Sequence, residues 1–319
     1  MKNASAIFRF LLDAAAAGER VALVTITDVI GSSSRAPGTH MAVAESGTFI
    51  GSFSGGCIEA AVIGEAQRVI STGVSERLRL GEGSPLIDIR LPCGGGVDLL
   101  FTPQPPIAEI RKALGLLDAR RAVEMRLSPD GGIAVAESAD ATASAWSDGI
   151  FAARHAPDLN LVILGHGAET PALAALARAY GLAVAIFSPD ETIVENAAQA
   201  GLQATFLKTP ARHPTLVTDR FTAVVFLFHD HDWETALMAQ VLEQDAFYIG
   251  AMGSRRTHAE RVAALLDHGV PAAQADRVKG PIGLIPATRD PDTLALSVLA
   301  QIAGYAATTG SKDAVRAGK

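Results

Sequence analysis

Residues 160–181, NLVILGHGAETPALAALARAYG, decide the fold. Residues 160–164 read as a buried strand. Gly165-His166-Gly167 is a glycine turn, and residues 168–180 form a helix that Gly181 ends. Downstream the pattern repeats. Strands are expected at 183–187, 203–207, 222–228 and 246–249, with helices at 191–200, 233–243, 254–268 and 291–307. Each strand is apolar throughout rather than alternating, which implies a parallel sheet covered on both faces. The second half is therefore a Rossmann-like doubly wound domain.

Upstream the reading is mixed. A first helix leads to an apolar strand at 21–27, a polar loop at 28–40 and a hairpin of 41–44 with 48–51. A helix follows at 58–71, with short strands at 77–80, 87–91 and 97–101. Three prolines in residues 103–106 precede a helical pattern starting at Ile107. Short strands at 122–127 and 133–137 flank the turn Ser128-Pro129-Asp130-Gly131-Gly132. The fold class is α/β, with an N-terminal α+β domain over residues 1–155 and the Rossmann-like domain over 156–319.

The chain has 319 residues, 49% of them hydrophobic and 19% charged, enough to pack two cores. Thirteen basic residues face seventeen acidic ones up to residue 150, and fourteen face seventeen beyond it. The net charge of −7 excludes a general nucleic-acid binder, which needs a basic face. Two cysteines make no disulfide scaffold. Arg9 and Asp13 interrupt the apolar run at 4–17. Ile7, Phe8, Leu11 and Leu12 recur there at helical spacing, as in an amphipathic helix rather than a leader. No segment reaches the roughly 20 apolar residues of a membrane span. A soluble, cytoplasmic protein is expected.

Four motifs carry chemistry. Gly165 and Gly167 let the backbone approach a phosphate at a helix N-terminus, although Thr170 stands where a third small residue is usual. No carboxylate ends the second strand, and Asp190 comes late enough to be a helix cap, so an NAD(P) site fits less well than another phosphate-bearing ligand. His229-Asp230-His231-Asp232 follows a strand at the edge where α/β ligands bind. His229 and Asp230 there suit proton transfer or ligand binding, or Asp230 or Asp232 simply caps a helix. Gly253, Ser254, Arg255 and Arg256 follow the next strand. Ser254 suits a cap and the arginines an anion, since cations in a first helical turn are unfavourable without one. Finally, Gly55 and Gly56 precede Cys57, which opens the helix carrying Glu59, and Cys93 sits before Gly94-Gly95-Gly96. A thiol at a helix N-terminus is disposed to ionise, and a thiolate can ligate metal, so Cys57 is the metal candidate. The alternative is a small buried apolar residue.

The ordered series GSSSRAPG (31–38), GGCIEA (55–60), PCGGGVDL (92–99), GHG (165–167), HDHD (229–232), YIGAMGSRR (248–256) and GPIGL (280–284) resembles the xanthine dehydrogenase accessory protein family, XdhC/CoxI. The resemblance spans nearly the whole chain. Ser54, Ile285-Pro286 and Gln301 depart from the family pattern. It implies a maturation factor that binds the molybdenum cofactor and protects it while a cysteine desulfurase installs its terminal sulfur. The cofactor then passes to a molybdenum hydroxylase such as xanthine dehydrogenase. A pterin phosphate suits the glycine turn and the arginines, and a molybdenum centre suits a thiolate. Binding rather than catalysis, in a homodimer, is the expectation. The alternative is an NAD(P)-dependent oxidoreductase using the Rossmann turn and His229.

Overall fold

A computed structural model describes residues 4–31, 35–54, 56, 58–84, 95–138 and 143–316, with only the backbone for 308–316. The chain divides into two compact units, the first made of Met1–Pro157 with Asp313–Lys319 and the second of Asp158–Lys312.

The first unit begins with α1 (Ala4–Ala16), β1 (Val21–Ile30), β2 (His40–Ala44), β3 (Phe49–Ile50) and α2 (Glu59–Thr72). It continues through β4 (Glu76–Gly81), β5 (Gly96–Pro103), α3 (Ile107–Asp118), β6 (Val123–Leu127), β7 (Ile133–Glu137), β8 (Ala145–Ser147) and β9 (Ile150–His155). A five-stranded antiparallel sheet has the order β3-β2-β1-β5-β4, and a four-stranded one β7-β6-β9-β8. Strand β1 is central and buried on both faces. Ala22, Val24 and Ile26 pack with Val62, Ala66 and Val69 of α2, while Val21 and Leu23 join Phe8, Leu11 and the β6 residues Val123 and Met125. That double burial explains why the strand is mostly apolar as far as Ile26. β1 outlasts its expected end at residue 27, reaching Ile30 through a bulge between Ile26 and Asp28. The strand expected at 87–91 lies outside the described residues.

Strands β8 and β9 were not anticipated. They form a hairpin whose two turn residues, Asp148 and Gly149, have φ of 51° and 76°, the positive pair that a type I′ turn requires. Trp146 on β8 packs against Phe151 and lies under the Arg77 guanidinium, 4.6 Å from the ring centre.

Two buried histidines sit inside this unit. His40 Nδ1 meets Thr25 Oγ1 at 2.8 Å, and His40 Nε2 meets His155 Nε2 at 2.9 Å, with the Phe8 ring beside both. Burial lowers His40 to a pKa of about 3 and His155 well below the ordinary imidazole value. Both rings are neutral in the folded chain.

The second unit runs β10 (Asn160–Gly165), α4 (Glu169–Ala179), β11 (Ala183–Ser188), α5 (Glu191–Gln199), β12 (Gln203–Phe206) and β13 (Thr222–Leu227). Then come α6 (Thr235–Leu242), β14 (Tyr248–Ala251), α7 (Arg255–Asp267), α8 (Ala272–Ala275), β15 (Val278–Lys279) and α9 (Pro291–Arg316). All six strands are parallel, in the order β12-β11-β10-β13-β14-β15. Leu161, Ile163, Ala223 and Val225 face one hydrophobic layer, and Val162, Leu164, Val224 and Phe226 face the other. The protein is thus an α/β chain with a Rossmann domain after an N-terminal α+β region. Strand β14 corrects the expected 246–249: it includes Gly250 and Ala251, which pair with Val225 and Phe226. A Cβ on Gly250 would fall 2.6 Å from the Tyr248 hydroxyl and 2.7 Å from Ile282, so this glycine serves close packing rather than a turn. Among the described residues no helix is long and apolar enough to cross a membrane.

Candidate functional site

The strand order reverses between β10 and β13, and ligands of open α/β sheets bind beyond the carboxyl ends at such a point. Gly165, the last residue of β10, pairs with Leu227 at the end of β13. A Cβ there would lie 2.8 Å from both Leu227 Cβ and its carbonyl oxygen, so only glycine lets the two ends abut. Phe226 pairs with Ala251, which ends β14. Three turns, at 165–167, 229–232 and 252–254, therefore leave one sheet edge from neighbouring strands.

Gly167 has φ of 96°. The place its Cβ would take is 2.9 Å from Glu169 Oε2 and 3.3 Å from His229 Nε2. Those two side chains approach each other at 3.4 Å. The Glu169 carboxylate thus stands at the mouth of the glycine turn, where a phosphate was expected. The His166 ring lies 5.7 Å from the rings of His229 and Phe228, and Phe228 stacks on Trp233. At the end of β11, buried Ser188 accepts the Asp190 N–H, and Asp190 accepts from Thr192 and Ile193 N–H at 2.8 and 3.3 Å. Asp190 is a helix cap. Among the described residues, the Asp190 carboxylate after β11 is engaged as a cap and the Glu169 carboxylate occupies the phosphate seat, an arrangement that suits a nicotinamide dinucleotide poorly.

In the next turn Asp230 accepts the Asp232 N–H at 3.1 Å and caps a short 3-10 turn, His231–Trp233. The helix expected from 233 starts instead at Thr235. His231 Nδ1 meets Glu234 Oε2 at 3.1 Å. Glu234 is almost fully buried and takes two hydrogen bonds from Arg261, Nε to Oε2 at 2.8 Å and Nη2 to Oε1 at 3.2 Å. Arg261 Nη2 also donates to the Met252 carbonyl at 2.7 Å. This pair ties the 229–232 turn to the 252–254 turn, and sequence reasoning missed both members.

Ser254 accepts the Thr257 N–H at 3.1 Å, capping α7 as expected. Gly253, at φ of 138°, precedes it. Arg255 and Arg256 occupy the first turn of α7 and are exposed. Arg256 Nε meets Glu260 Oε1 at 2.8 Å one turn on, so a protein carboxylate already offsets part of the unfavourable placement. Nearby, the single Gln301 Oε1 accepts from the Tyr248 hydroxyl at 2.7 Å and from Gly283 N–H at 2.8 Å.

In the first unit Gly55, Cys57 and Cys93 lie outside the described residues, and with them the metal candidate. Their described neighbours are ordered by Glu59. Its carboxylate is buried and accepts from Ser52 Oγ, Ser54 N–H, Ser54 Oγ and Gly56 N–H at 2.7–2.8 Å and from Phe53 N–H at 3.0 Å. Burial alone would raise its pKa, but the donors of Ser54 and Ser52 hold it well below the carboxylate range. Glu59 is neither solvent-facing nor available to a ligand; it gathers Ser52, Phe53, Ser54, Gly56 and Ile58. Arg35 Nε donates to the Ser52 carbonyl at 3.1 Å, and a Cβ on Gly31 would lie 3.4 Å from Gly95 Cα. Residues flanking the three glycine-rich loops therefore meet at one end of the five-stranded sheet. Beside them Arg79 holds Asp98 through two hydrogen bonds at 2.6 and 2.8 Å and keeps its carboxyl below the usual range. Among the described residues no group of three or more histidine, cysteine or acidic side chains is placed to hold a metal ion.

Comparison with known proteins gives three findings. Residues 161–302 match the family described as XdhC Rossmann domain, and residues 14–81 match the XdhC and CoxI family. The chain is 34% identical over 297 residues to the molybdenum cofactor insertion chaperone PaoD of Escherichia coli (strain K12), covering 93% of this chain and 87% of that protein. A solved structure described as a xanthine dehydrogenase from Bacillus halodurans aligns with a TM-score of 0.75 at 22% identity, covering 94% of this chain and 96% of that one. At that identity the likeness shows the fold alone.

Proposed function

The chain belongs to the XdhC and CoxI family, and on that footing we propose that it is a carrier of the molybdenum cofactor. It binds the cofactor as cargo, shields it while a cysteine desulfurase installs the terminal sulfur, and inserts it into a molybdenum hydroxylase such as xanthine dehydrogenase. One observation carries this reading: 34% identity sustained over 93% of the chain to a protein that is itself a molybdenum cofactor insertion chaperone. The carrier acts in the cytoplasm as a two-fold dimer, the commonest soluble assembly.

In this reading Gly55, Gly56 and Cys57 approach the molybdenum end, with Cys57 the metal ligand, Glu59 setting the loop and Cys93 in support. Independently of that loop, Ser254, Arg255 and Arg256 at the α7 N-terminus of the second unit offer helix N–H groups and guanidinium donors that favour an anion such as a phosphate. Gly165, Gly167, Gly253, His229 and Asp230 line the same sheet edge. The dinucleotide-dependent oxidoreductase is disfavoured by the capping role of Asp190 and by the Glu169 carboxylate.

The test is to purify the protein from a cofactor-producing host and measure molybdenum and the fluorescent oxidised pterin it releases. Stoichiometric molybdenum, with activation of an apo-hydroxylase on mixing, supports the carrier. Protein that carries neither, or that turns over a small carbonyl with NAD(P)H, overturns it.

A further inference from the structure

We propose that the Glu169 carboxylate, set against His229 at the end of β10, reads the hydrogen-bond donor edge of a pterin ring in the seat that a dinucleotide phosphate takes in other folds of this kind. The proposal rests on the carrier reading above and assigns one part of the cargo to one side chain.

The geometry separates two ligand chemistries. Glu169 Oε2 lies 2.9 Å from where a Cβ of Gly167 would stand, so the carboxylate fills the space over the glycine turn. A phosphate entering there would meet a like charge at contact distance, with no favourable orientation available. A pterin ring offers the opposite pattern. Its 2-amino group and ring N3–H form two parallel donors, matched to the two oxygens of a carboxylate much as a guanidinium is. Glu169 is placed to serve as that acceptor. It stands in the first turn of α4, whose N-terminus favours a negative charge. Among the described residues its side-chain partner is His229 at 3.4 Å, a long contact that leaves acceptor capacity unused. The carboxylate is mostly sheltered while the His229 ring is more than half exposed, so a flat ligand can reach the pair from solvent. At the end of β11, Asp190 is committed to capping α5 rather than to a diol.

The experiment uses the full chain stripped of cargo, titrated with three probes: pterin, lumazine (in which a carbonyl replaces the 2-amino group) and NADH. Wild type is expected to bind pterin about tenfold or more tighter than lumazine and to show no saturable NADH binding. Glu169→Gln turns an amide N–H2 toward the ring donors and is expected to remove that preference with an unchanged circular dichroism spectrum. Glu169→Asp should retain part of it. Equal affinity of wild type for pterin and lumazine, no pterin binding, saturable NADH binding, or a preference that survives in Glu169→Gln each overturns the proposal. Molybdenum content of the wild type separates the two levels. If wild type carries molybdenum and activates a hydroxylase while Glu169→Gln keeps the pterin preference, the carrier stands and the Glu169 assignment falls. If wild type carries none and activates nothing, the carrier reading itself falls.

Discussion

Arg261 donates twice to Glu234, at 2.8 and 3.2 Å, with side chains only 4% and 2% exposed. A charge pair this deep is held by mutual compensation, so its members are expected to fail singly rather than together. Arg261→Leu removes both guanidinium hydrogen bonds from a buried carboxylate, leaving it only the His231 contact, and should cost about 3–5 kcal/mol of stability. The double change Glu234→Gln with Arg261→Leu should recover much of that. Urea denaturation of the wild type and the two variants checks this; a loss under about 1 kcal/mol for Arg261→Leu contradicts it.

Stability should fall on acidification because of His40 and His155. Folded His40 has its pKa lowered to about 3, whereas the unfolded chain takes up the proton near 6.5. The unfolded state therefore binds more protons throughout that window. The contribution is complete above about pH 6.5 and declines as pH falls, by roughly 1.4 kcal/mol per pH unit for each imidazole. Denaturation midpoints at pH 7, 6 and 5 should drop progressively, and the paired change His40→Gln with His155→Gln should flatten the slope. A wild-type midpoint independent of pH across this range counts against the neutral pair.

Arg255→Ala with Arg256→Ala should reduce the molybdenum retained on purification by several-fold and barely move the melting temperature. Both side chains are exposed, and a surface pair such as Arg256–Glu260 contributes about 0–1 kcal/mol. Unchanged retention removes the arginines from the anion site.

Cys57→Ala should lose most bound molybdenum and most hydroxylase activation while folding normally, and Cys93→Ala should lose less. Full retention by Cys57→Ala would reduce that cysteine to a packing residue. Glu59→Ala offers a second approach to the same loop. It strips the acceptor from its neighbouring donors, so it should both lower stability by about 2 kcal/mol or more and weaken retention.

The parallel sheet was legible because strands buried on both faces read as continuous apolar runs, as Thr222–Leu227 does. The buried charges were not, because Glu and Arg on helices ordinarily face solvent. Their phase nonetheless marks them. Glu234 stands three, four and seven residues before Leu237, Met238 and Val241, all buried; Arg261 stands four before Leu265; and Glu59 stands three and seven before Val62 and Ala66. A charge in register with an apolar stripe is an inward-facing charge. His155 follows Phe151 and Ala153 at strand period on the buried face of β9 by the same logic. The dipeptide Asp148-Gly149 was the available signal for the missed hairpin. Glu169 could not have been placed from sequence, since its position depends on where β13 delivers His229.

The chain's two tryptophans fall one to each unit: Trp146 under Arg77 in the first, Trp233 stacked on Phe228 in the second. The molecule therefore carries two native fluorophores with separate addresses. Trp146→Phe leaves a single indole three residues from Asp230 and two from His231, so its emission follows events at the carboxyl edge of the parallel sheet. Trp233→Phe leaves an indole whose emission follows the hairpin of the other unit. Cargo arrival and unfolding of either half can thus be timed independently, without attaching a dye.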